Sequence, residues 1–85
     1  MNDKHKFKLY RGFETLLETE ATFIEARKKA DELANEHGRV EMHCYNDGAY
    51  RWEMLGTYLG NREVINCFGD RCIIDADYRN MWTKK

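Results

Sequence analysis

The residues of this chain best suited to chemistry are the three cysteines, Cys44, Cys67 and Cys72, together with the His43-Cys44 step. Cys67 and Cys72 flank Gly69-Asp70. A two-residue turn there sets them opposite one another across a hairpin, close enough for a disulfide or for two zinc ligands. A third ligand would come from Cys44 or His43. The spacing is not that of a zinc knuckle, however, and four ligands are assembled only by mixing the two faces of a sheet. Buried free thiols acting as small apolar side chains are the favoured reading, with neither metal nor cofactor expected. His43 and Cys44 are neighbours on a strand and point to opposite faces, which keeps the imidazole from activating the thiol. Glu41, Glu53 and Glu63 are scattered along strands, with nothing to pair two of them as acid and base. The chain has neither serine nor proline, which removes every serine-nucleophile scheme. No catalytic residue is assigned, and the expectation is a protein that is not an enzyme.

The elements that would position these residues follow from periodicity. Lys4 to Arg11 alternates, with Phe7 and Leu9 apolar between Lys6, Lys8 and Tyr10, which predicts a half-buried strand ending at Gly12. Glu14 to Thr19 returns as a short second strand in the favoured reading; a helix is the alternative. Thr22 followed three residues later by Glu25 is a capping box, so a helix begins at Phe23. Its apolar stripe is Phe23, Ala26, Ala30, Leu33, Ala34 and His37, with Arg27, Lys28, Asp31, Glu32 and Asn35 pointing away, and Gly38 ends it. The alanines imply close approach of helix to sheet.

From Arg39 the chain reads as a meander of strands divided by Asn46-Asp47-Gly48, Gly60-Asn61 and Gly69-Asp70. A three-residue loop with Gly48 in a left-handed bulge sets Cys44 opposite Tyr50, Met42 opposite Trp52 and Val40 opposite Met54, all on one face. A loop of Asp47 and Gly48 alone would split this apolar set. Two-residue turns at Gly60-Asn61 and Gly69-Asp70 then pair Ile65 with Ile74 and Cys67 with Cys72, and these join Ala76 on the core face. The predicted fold is α+β: one amphipathic helix on an antiparallel sheet in the order β-β-α-β-β-β-β. Residues 77–85 form a carboxyl-terminal tail or short helical turn. The helix residues Phe23, Ala26, Ala30 and Leu33 pack on Val40, Met42, Trp52, Met54, Ile65 and Ile74.

That register leaves Val64, Phe68 and Ile73 outward on the last hairpin. An exposed apolar cluster marks a site for a protein partner or for self-association. Tyr78, Met81 and Trp82 either join that site or fold across it. The alternative is a nucleic-acid or small-ligand surface in which Tyr45 stacks on bases near Arg51, Arg62 and Arg71.

Composition bounds these readings. Eighty-five residues make one domain with a thin core. With 42% apolar and 34% charged residues and a net charge of -1, the chain is globular, and nothing demands a nucleic-acid or membrane partner. There is no run of 18 apolar residues and no leader-like amino terminus, so a cytoplasmic protein is expected. An odd number of cysteines suits that compartment.

The stretch from a lysine-rich strand ending at Tyr10-Arg11-Gly12, through a short return, to Thr22-Phe23-Ile24-Glu25-Ala26 opening a helix resembles small orphan proteins of bacteriophages. Inhibitors of host polymerase and of host defence systems are among them. The resemblance covers residues 4 to 45 and carries no binding residue by position. It implies a viral protein, acting in the cytoplasm of a host cell, that binds a host protein rather than catalysing.

Overall fold

The protein is described, as a computed structural model, over residues 3–84. Strands β1 (His5–Arg11) and β2 (Glu14–Ala21) form a hairpin, followed by helix α1 (Phe23–His37). Then come β3 (Val40–Asn46), β4 (Arg51–Gly60), β5 (Glu63–Asn66), β6 (Arg71–Ile74) and β7 (Met81–Thr83). One seven-stranded sheet runs in the order β2-β1-β3-β4-β5-β6-β7, with every pair antiparallel. This is the α+β order expected, with Glu14–Ala21 a strand and with a further strand, β7, where the sequence suggested a tail or helical turn. Because β2 and β3 both flank β1, they run parallel to one another, and α1 is the crossover between them.

The helix forms where local chemistry dictates. Glu25 N–H donates to Thr22 Oγ1 at 3.2 Å and Thr22 N–H donates back to Glu25 Oε1 at 3.0 Å, so the capping box is complete. Gly38, at φ 96°, closes the other end by donating to the Ala34 carbonyl. Ala26, Ala30 and Ala34 are buried and bring the helix close to β4, β3 and β1. Beneath it lie Phe7, Leu9, Val40, Met42, Tyr58, Val64 and Ile74, all essentially solvent-free. Burying each larger side chain contributes roughly 1.5–3 kcal/mol.

Three single-residue bulges interrupt the ladders, and each extra residue is a leucine. Leu17 pairs with Leu9 and Thr15 with Tyr10, leaving Leu16 unpaired. Gly56 pairs with Met42 and Met54 with His43, leaving Leu55; Tyr58 pairs with Val64 and Gly60 with Glu63, leaving Leu59. A bulge reverses the alternation of a strand, so apolar residues before and after it reach different faces. Leu16, Leu17 and Leu55 use this freedom to pack against the core.

The bulge at Leu55 corrects the expected register. The β3–β4 loop has four residues, with Asn46 opposite Arg51, Tyr45 opposite Trp52 and Cys44 opposite Glu53. Asn46 Oδ1 accepts from Gly48 and Ala49, and the positive φ falls on Tyr50, which is exposed, rather than on Gly48. Trp52 and Met54 therefore lie on the face away from the helix, and Tyr58, beyond the bulge, takes the core position.

The β4–β5 turn is Asn61-Arg62, one residue later than expected, so Val64 rather than Ile65 is buried. Ile65 pairs with Arg71 and Val64 with Cys72, while Cys67 sits exposed in the turn and does not face Cys72. Ala76 is exposed in the loop before β7. On the helix, Phe23 is partly exposed and Asp31, expected to point away, is buried.

Candidate functional site

With one helix on one sheet, one face of the sheet has no second layer among the described residues. The uncovered face starts on β1, where Lys6, Lys8 and Tyr10 alternate with buried Phe7 and Leu9. It continues through Glu41, His43 and Tyr45 of β3, Trp52 and Met54 of β4, and Ile65 of β5 to the Ile73–Trp82 pair of β6 and β7. Thr57, opposite both Glu41 and Ile65 on this face, is buried by its strand neighbours.

The rings on this face meet edge to face. Tyr45 and Trp52 lie 5.3 Å apart at 67°, and Tyr10 and His43 lie 4.8 Å apart at 82°. Such pairs contribute on the order of 0.5–1.5 kcal/mol beyond simple burial. Lys8 Nζ stands 4.4 Å above the Trp52 ring and 4.0 Å from a Glu18 carboxylate oxygen, and Lys6 Nζ is 6.0 Å from the Tyr45 ring. The lysine stems shield the aromatics. The face is close to electroneutral: Lys6, Lys8, Arg71 and Lys84 stand against Glu18, Glu20, Glu41 and Glu63, with Lys84 and Glu63 paired at 3.1 Å.

Of the six partner-binding residues expected from the sequence, the structure brings Ile73 and Trp82 together as cross-strand neighbours on this face, 37% and 54% exposed. Phe68 projects from the β5–β6 turn, exposed but away from that pair in the ladder; the turn is held by Asn66 Oδ1 accepting from Phe68 and Asp70. Val64 is a core residue, which corrects its expected outward position. Tyr78 and Met81 pack against the core from the helix side. The alternative nucleic-acid set is dispersed as well. Tyr45 and Arg71 share the open face, but Arg51 sits beyond Trp52 on the other side, bound to Glu53 at 3.1 Å. Arg62 is held in its turn by Asp31.

Sequence reasoning missed Phe13, at the tip of the β1–β2 hairpin and fully exposed, and Trp52 as a surface residue. The signal for Phe13 was present. Next to a turn glycine, the second residue of a two-residue loop has no core to reach.

Two of the groups suited to chemistry are shifted from their ordinary proton affinities. Burial pushes the Cys44 thiol up, opposite to the direction that makes a thiolate nucleophile. Hydrogen bonds from Asn46 and then Arg51 pull the Glu53 carboxyl down, which keeps it ionised rather than an acid. Among the described residues, no three His, Cys, Asp or Glu side chains gather as metal ligands. No helix among them is long and apolar enough to cross a membrane.

Fold and site together define a small α+β domain with an open, aromatic sheet face. No protein-family model, curated protein or solved structure matches the chain.

Proposed function

We propose that this protein is a non-enzymatic binding module that docks another protein on the uncovered face of its sheet. The single observation that carries this reading is the run of half-exposed rings and aliphatics from Tyr10 across Tyr45 and Trp52 to Ile73 and Trp82, with no layer above it among the described residues. Aromatic-centred surfaces with a polar rim are typical of protein interfaces. The balanced charges support a protein rather than a nucleic-acid partner, because phosphate binding needs an excess of cations along the path of the strand. The finer form of the reading, a phage-encoded inhibitor that occludes a host or defence complex, draws its support from the bacteriophage-like style of residues 4 to 45.

The test compares three proteins in affinity capture from bacterial lysate: the native chain, a Tyr45→Asp, Trp52→Asp variant, and Lys28→Glu on the solvent side of the helix. Circular dichroism first verifies that all three are folded. A protein retained by the native chain and by Lys28→Glu, but lost by the face variant, is the expected result. Equal capture by all three, or a bound fraction that nuclease removes, overturns it.

A further inference from the structure

At the end of the open face next to the β1–β2 turn, three rings and a carboxylate line a shallow, open cleft of about 260 Å³. Tyr10 and His43 meet edge to face on one side of it, with ring centres 4.8 Å from one another and planes 82° apart. Phe13 also lines it, its ring entirely in water, as does Glu41, whose carboxylate lies 3.9 Å from His43 Nε2. The hairpin fixes this placement. Arg11 pairs with Glu14, leaving Gly12-Phe13 as a two-residue loop with a positive φ of 61° at Gly12, and Phe13 lines the same depression as Tyr10.

We infer that Tyr10, Phe13, His43 and Glu41 form a receptor for a cationic side chain, and that the group it takes is the guanidinium of an arginine on the docked protein. The inference rests on the reading of the sheet face as a docking surface, and it deepens that reading by naming what one corner recognises. The edge-to-face contact with His43 holds the Tyr10 ring in place at the cleft, and the faces of Tyr10 and Phe13 carry the negative quadrupole density that attracts a cation. The Glu41 carboxylate, with Oε1 already near His43 Nε2, supplies the acceptor oxygens for a planar fork. Arginine suits this better than lysine, because its flat, weakly hydrated cation stacks on a ring while donating in its own plane. One row away the chain already makes the same kind of contact internally, with Lys8 over Trp52. Arg11 and Arg39 border the neighbouring cleft without forming an ion pair with Glu41 among the described residues; its contact with His43 Nε2, at 3.9 Å through Oε1, is the one an incoming fork would share or displace. Binding also covers the Phe13 ring, which otherwise leaves its whole apolar surface in water.

The experiment is an NMR titration of the full chain with acetyl-Gly-Arg-Gly-amide and with the same peptide carrying citrulline, which keeps the shape and removes the charge. The arginine peptide is expected to bind roughly tenfold more tightly, the equivalent of one to two cation–ring contacts, and to shift the Tyr10, Phe13 and His43 ring resonances. Phe13→Ala and Glu41→Gln, both at exposed or half-exposed positions that the core does not need, are each expected to weaken it several-fold. Equal binding of the two peptides, shifts centred on the acidic β2 edge at Glu18 and Glu20, or unchanged affinity in both variants overturns the inference. The two readings fail separately. If the cleft is not a receptor, capture by the native chain still depends on Tyr45 and Trp52; if the face is not a docking surface, that dependence vanishes whatever the peptides do.

Discussion

Replacing Asp31 with alanine should destabilise this protein more than any other single change on the helix surface. The carboxylate is 3% exposed and accepts two hydrogen bonds at 2.8 Å, one from the Arg62 backbone N–H and one from the Tyr78 hydroxyl. It thereby ties the middle of α1 both to the β4–β5 turn and to the loop that delivers β7. Hydrogen bonds to a charged group contribute about 1.5–3 kcal/mol each, and part of that is recovered when water reaches the partners. The expected loss for Asp31→Ala is therefore about 3 kcal/mol. The whole stability of a domain this size is roughly 4–13 kcal/mol, and the melting temperature should fall by roughly 12–24 °C. Tyr78→Phe removes one bond and should cost about 1 kcal/mol. Because both changes delete the same contact, the double variant should fall short of additivity by about 1 kcal/mol. Urea unfolding monitored by tryptophan fluorescence measures all three, with an unchanged denaturant slope as the check that the unfolding reaction is the same. A loss below about 1 kcal/mol for Asp31→Ala, or full additivity with Tyr78→Phe, would refute the claim that this buried carboxylate holds the turn and the β7 loop to the helix.

The same turn supplies a pair of opposite outcomes. Gly60 has φ 93° and an added Cβ would stand 2.8 Å from Asn35 Oδ1, the acceptor for the Asn61 N–H, so Gly60→Ala should cost about 1–3 kcal/mol. Arg62 holds φ 63°, and Arg62→Gly should be neutral or stabilising in the same urea assay because the N–H that Asp31 binds is retained. Stability should also fall at high pH. Burial raises the Tyr58 phenol well above its ordinary value of 10.0, and burial followed by the Asp31 bond raises that of Tyr78. The native state therefore holds these protons more tightly than the unfolded chain does. The contribution is intact below pH about 10 and is lost as pH rises through the folded values. Unfolding free energies from neutral to strongly alkaline pH should show this decline, and Tyr58→Phe should flatten it; a decline of the same slope in that variant would remove Tyr58 as its cause.

What the sequence disclosed and what it concealed divide by range of interaction. The capping box at Thr22 and Glu25, the alanine stripe and the alternation of β1 are each set by residues within one helical turn or one strand, and all were legible. Register was not, because it depends on three bulged leucines that look like ordinary strand residues. Without a bulge at Leu55, Trp52 and Met54 would share the parity of Tyr58, and placing all three in the core would be reasonable. With it, the strand turns over halfway. Asp31 was misread for a related reason. Its partner Tyr78 is 47 residues away, and no local pattern marks a carboxylate whose desolvation is offset by so distant a hydroxyl.

The misplacement of Trp52 is also what hid the candidate site. A register that buries Trp52 leaves Tyr45 isolated among charges and moves attention to Phe68 and Val64 at the far end of the sheet. The bulge instead spends the inward positions of β4 on Gly56 and Tyr58. Gly56 is needed there because a Cβ would come within 3.0 Å of the Ile65 carbonyl, and Tyr58 fills the space under the helix that Trp52 was expected to fill. The indole is then free to pair with Tyr45 under Lys8. A core this thin has room for few large rings, and with Phe7 and Tyr58 filling it Tyr45, Trp52 and Trp82 stand on the open face.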